Sequence, residues 1–84
     1  MRMKYVIKYE KNALKYLMRL DRTTQLRIIN AINDLPEGDV KKLQGSVNEY
    51  RLRIGDFRVI FSKNAKVLLI SVVQIASRGE VYKK

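Results

Sequence analysis

Residues 50–61, YRLRIGDFRVIF, decide the fold. Apolar residues recur at every second position on both sides of Gly55-Asp56, which is the pattern of two strands joined by a two-residue turn. A glycine at the first central position suits the primed turns that hairpins favour. In that register Ile54 opposes Phe57, Leu52 opposes Val59 and Tyr50 opposes Phe61, so six apolar side chains share one face and form the core. The other face then carries Arg53 directly opposite Arg58, with Arg51 one step along, opposite Ile60. Like charges across a strand pair repel, so a merely solvated face accounts for polar residues there but not for a cross-strand arginine pair. Planar guanidinium groups bind phosphate bidentately, and a phosphate site is the better reading. Neither strand offers a carboxylate on that face; Asp56 and Glu80 are the acids placed to reach it from outside.

Upstream, residues 36–49 (PEGDVKKLQGSVNE) hold turn formers and polar groups with only Val40, Leu43 and Val47 as apolar anchors, which predicts an ordered loop carrying Lys41 and Lys42. Before it, Asp21 caps a helix in which Leu26, Ile29, Ile32 and Leu35 recur at three-residue steps, supported by Ile28 and Ala31. Pro36 and Gly38 end it. From about Asn12 a shorter amphipathic helix sets Ala13, Leu14, Leu17, Met18 and Leu20 against Lys15 and Arg19, and on it Tyr16 and Leu17 are candidates for a partner's groove as well as for the core. Residues Lys4 to Tyr9 suit a short strand in or beside the sheet. Downstream, Val67–Ile75 is apolar at nearly every residue, which predicts a central strand buried on both faces. The order β-α-α-β-β-β predicts one α+β domain over residues 1–84, a two-helix hairpin packed on one face of a mostly antiparallel four-stranded sheet.

The 84 residues contain no cysteine and no histidine, which removes disulfides, thiolate nucleophiles, the usual zinc sites and histidine general bases, so no cofactor or metal is expected. The N-terminal MRMKYVIKY lacks the apolar core of a secretory signal, and the run VLLISVV is far too short to span a bilayer. A soluble, cytoplasmic protein without a membrane partner is expected. Eighteen Lys and Arg against eight Asp and Glu give a formal charge of +10, which points to a polyanion. The C-terminal QIASRGEVYKK adds Arg78, Tyr82, Lys83 and Lys84.

The element order, the block KKLQGSVNEYRLRIGDFRVIF and the closing SRGEVYK resemble the RelE/ParE superfamily of toxins from bacterial and archaeal type II toxin–antitoxin pairs. The similarity spans essentially the whole chain. In the RelE branch it implies a ribosome-dependent endoribonuclease, an mRNA interferase that cleaves messenger RNA in the ribosomal A site without a metal. The matching positions are Arg53, Arg58, Arg78 and Tyr82 as catalytic residues, with Arg51, Lys41, Lys42, Lys83 and Lys84 binding RNA phosphates. Many members have a histidine where Ser77 stands. The resemblance also implies a cognate antitoxin as partner, beside the ribosome and its mRNA. Two alternatives stay open: a ParE-type toxin that inhibits DNA gyrase without cutting RNA, and a non-catalytic nucleic-acid-binding module.

Overall fold

The hairpin forms in the expected register. In the computed structural model, which describes residues 4–77, the chain runs β1 (Val6–Tyr9), α1 (Lys11–Met18), α2 (Arg22–Asn33), β2 (Val40–Lys42), β3 (Glu49–Ile54), β4 (Phe57–Asn64) and β5 (Leu69–Ser77). All five expected cross-strand pairs of β3 and β4 are matched, including Tyr50 with Phe61 and Arg53 with Arg58. Gly55 takes φ +57° at the turn, a conformation that costs glycine nothing and a side chain about 1 kcal/mol or more.

The sheet has five strands in the order β1-β5-β4-β3-β2, one more than the four expected. The addition is β2, within the segment read as loop. Three residues with one apolar member carry no alternation to detect; instead the strand is fixed by its partner, with Val40 opposite Leu52 and Lys41 opposite Arg51. Its approach is held by the Arg53 N–H, which donates to the Asp39 carbonyl at 3.0 Å. Only the β1–β5 pair is parallel; the other three are antiparallel. The middle of the sheet is therefore β4 rather than the apolar Leu69–Ser77 strand, which lies between β1 and β4.

Both helices pack on the face that carries Leu52, Ile54, Val59, Phe61, Ile70, Val72 and Ile75, all buried, and insert Ala13, Leu17, Ile28, Ile32 and Leu35 into the same core. Burying one such side chain contributes about 1.5–3 kcal/mol, so this cluster dominates stability. Asp21 starts α2 as expected, its carboxylate accepting from the Thr24 N–H at 3.1 Å and from the Thr24 hydroxyl at 2.7 Å. The buried residues of α2 are Ile28 and Ile32, at i and i+4, with Leu35 buried just past its end, while Leu26 is 46% exposed and Ile29 only half-buried. On α1, Leu17 is core and Tyr16 half-buried, whereas Leu14 and Met18 face solvent. The β5 strand is not buried on both faces: Val73 and Gln74 are exposed, and a register irregularity opposite Ile60 and Phe61 breaks its alternation. No helix among the described residues is long and apolar enough to cross a membrane.

Candidate nucleic-acid interface

Both described helices cover one face and neither covers the other, and period-two alternation sorts the cations between the two faces. Arg53 and Arg58 are directly paired on the open face, with Arg51 between Lys41 on β2 and Ile60 on β4. Lys41 thus joins the three arginines. Lys42 does not: its partner is Tyr50, on the helix side. Arg53 is exposed, and Arg51 and Arg58 are half-buried. Four positive charges held this closely on rigid strands are costly unless an anion is shared between them.

One counter-charge is built in. Asp39, from the turn before β2, places Oδ1 3.9 Å from Arg51 Nη1, with the arginine side chain 14% exposed and the aspartate 63%. That separation is charge pairing without a hydrogen bond, and Nη1 is closed off from solvent with no hydrogen-bond acceptor beside it. Gly38 permits the approach: its φ is +110°, and a Cβ there would stand 3.1 Å from Leu52 Cδ1. Neither acid expected at the face supplies this contact. Asp56 sits exposed in the hairpin turn, and Glu80 lies outside the described residues.

The described tyrosines of the strands are on the wrong side for this face. Tyr50 stacks on Phe61 on the helix side, ring centroids 5.6 Å apart at 18°, with Lys63 Nζ 4.8 Å from its ring centre. Tyr9 pairs with Val72, also on the helix side, and burial raises its phenol above the ordinary 10.0, which disfavours it as a base. Arg78, Tyr82, Lys83 and Lys84 lie outside the described residues. No group of His, Cys, Asp or Glu that can hold a metal ion occurs among the described residues. Arginines remain charged at any physiological pH, so the guanidinium groups of this face are suited to pairing with an anion and not to moving protons.

The sequence located Arg51, Arg53 and Arg58 through alternation alone. Asp39 was missed, because its position depends on the short β2, which leaves no periodic trace.

Residues 7–82 match a family model described as the ParE toxin of the type II toxin–antitoxin system parDE. Among solved structures, the chain is 32% identical to one in the archaeal RelE–RelB complex from Pyrococcus horikoshii OT3, with a TM-score of 0.75 over 92% of this chain and 98% of that one. The RelB–RelE antitoxin–toxin complex from Methanococcus jannaschii gives 24% identity and a TM-score of 0.72, covering 89% and 94%. The intact E. coli RelBE toxin–antitoxin complex gives 16% identity and a TM-score of 0.73, covering 87% and 95%. These last two show a shared fold. No curated protein sequence matches the chain significantly.

Proposed function

The chain belongs to the ParE toxin family of type II toxin–antitoxin systems, within the RelE/ParE superfamily, and from that premise we propose that it is a ribosome-dependent endoribonuclease that cuts messenger RNA in the ribosomal A site. The observation that carries this reading is the Arg53–Arg58 pair on the open face, flanked by Arg51 and Lys41. In the proposed reaction the ribose 2′-OH attacks the adjacent phosphorus and the P–O5′ bond breaks. The products are a 2′,3′-cyclic phosphate and a free 5′-OH. A general base takes the 2′-OH proton and the departing 5′ oxygen gains one, so no metal is needed. Negative charge builds on the non-bridging oxygens of the phosphorane, and fixed guanidinium groups stabilise it without reorganisation. Arg53, Arg58 and Arg78 have that role. Tyr82 serves as general base or holds the base by stacking.

Each of these similar structures is a complex of a toxin with its antitoxin, which supports a cognate antitoxin as partner for this chain. The charge of +10 suits an acidic segment that masks the basic face.

A second reading rests on the family model itself, which describes ParE toxins; that reading makes the chain a gyrase inhibitor and its arginine face a docking surface. Primer extension on a defined message in a reconstituted translation reaction separates the two. New message ends that require ribosomes support the nuclease. Intact message together with blocked gyrase supercoiling supports the inhibitor.

A further inference from the structure

The parallel β1–β5 ladder ends at the Tyr9–Val72 pair; the Glu10 N–H donates to the Val72 carbonyl at 2.8 Å, and the chain then turns into α1. Past Val72, the edge of β5 that faces away from β4 has no strand beside it among the described residues. Between that edge and α1 lies a cleft of about 330 Å³, lined among others by Asn12, Lys15, Tyr16, Arg19, Gln74 and Ala76. A cleft of this volume is at the small end of ligand sites, which begin at about 300 Å³.

Its position is informative. Ala76 is the register partner of Arg58 and Gln74 that of Ile60, so both lie on the arginine side of the sheet. The row Arg53–Arg58–Ala76 therefore runs across β3, β4 and β5 to the mouth of the cleft. Adjacent strands are about 4.8 Å apart, so the arginines stand within one or two strand widths of it. On the far wall Lys15 and Arg19, four residues apart along α1, are both exposed, and Tyr16 between them is half-buried. Cations lining a groove beside an aromatic ring are the components of a single-stranded nucleic-acid subsite.

We propose that this cleft receives a nucleotide flanking the one held at the arginine face, with Lys15 and Arg19 on its phosphate and its base against Tyr16 and the β5 edge. The inference rests on the arginine face being an RNA site and extends that site around the sheet edge. An acidic peptide adding to the same edge is the competing occupant. RNA is favoured because the cleft is continuous with the arginine row and not separate from it.

The test uses the full chain and two 2′-O-methyl RNAs that cannot be cut, a dinucleotide and a hexanucleotide, with binding followed by fluorescence anisotropy across a salt series. Replacing both cations (Lys15→Ala with Arg19→Ala) weakens the hexanucleotide roughly tenfold and makes its salt slope shallower by about 0.7, the value for one phosphate contact on a single strand, while the dinucleotide is unaffected. Arg19→Lys retains most of the affinity. Lys66→Ala, in an exposed turn, changes it less than twofold. Circular dichroism melts confirm that each variant is folded, and Lys15→Gln with Arg19→Gln replaces any that is not. Equal losses on both RNAs, or an equal loss with Lys66→Ala, would mean diffuse charge and overturn the proposal. Unchanged hexanucleotide binding in the Lys15/Arg19 variants, with a loss in Arg53→Ala, overturns the cleft and leaves the arginine face intact. If Arg53→Ala is also without effect, the RNA reading falls with it. Loss of polyglutamate binding with RNA binding intact assigns the cleft to an acidic peptide and likewise overturns the proposal.

Discussion

At Arg51 a mostly buried guanidinium meets a single counter-charge: Nη1 lies 3.9 Å from Asp39 Oδ1 and makes no hydrogen bond. Asp39 competes with a phosphate for that guanidinium. With the aspartate exposed and the separation beyond hydrogen-bond reach, such a pair is worth only about 0.2–1 kcal/mol. Asp39→Asn is therefore expected to tighten binding of a short RNA by roughly 1.4-fold to fivefold at low salt, the same free energy expressed as a ratio, with little change in melting temperature. Anisotropy titrations check the first and thermal melts the second. Arg53 and Arg58 face each other, and if both act on one phosphate, as proposed, their losses will not add. Either alanine variant is expected to lower cleavage by roughly 10²–10³, and the double variant by much less than the product. Single-turnover rates of the two single variants and the double provide the cycle.

Among the elements, α2 depends on its cap. The Asp21 carboxylate takes hydrogen bonds from the Thr24 hydroxyl and the Thr24 N–H, which hold it below its ordinary 3.8. A carboxyl depressed in the folded state stabilises the fold above its unfolded value, and that contribution is lost as pH falls through the folded value. Asp21→Ala should therefore melt below the wild type at pH 7, and the gap should narrow as the pH drops beneath 3.8; thermal melts across an acid series test this. The elements also show what the sequence could and could not convey. The β3–β4 register was legible because both strands alternate and the Gly55-Asp56 turn leaves one pairing. The α2 stripe was less so: Leu26 and Ile29 fit a three-residue step, yet the sheet buries Ile28 and Ile32. Periodicity identifies residues able to share a face but not the angle at which the helix meets its neighbour. The same gap hid β2 and the cleft beside α1, both of which exist only through contacts distant in sequence.

In the whole molecule, the helices and apolar core occupy one side of the sheet and four cations the other, so the protein presents a basic surface on a rigid support. The candidate site was legible wherever it depended on alternation within one hairpin, and illegible where it depended on Asp39, Lys15 and Arg19 arriving from other elements. With a formal charge of +10, association with RNA is expected to weaken steeply as salt rises, with a logarithmic slope of about −0.7 for each phosphate contacted on a single strand. A salt titration gives the number of contacts. A near-flat slope would contradict an interface built on cations.

The central claim is that the arginine face cuts translated message by attack of the ribose 2′-OH. The most direct test is the chemistry of the ends: a defined message is translated with and without the protein, and the fragments are examined for a 2′,3′-cyclic phosphate upstream and a 5′-OH downstream of the cut. Both ends, appearing only with ribosomes and lost in Arg58→Ala, are the predicted result. Uncut message, or cuts that persist in Arg58→Ala, would contradict the account.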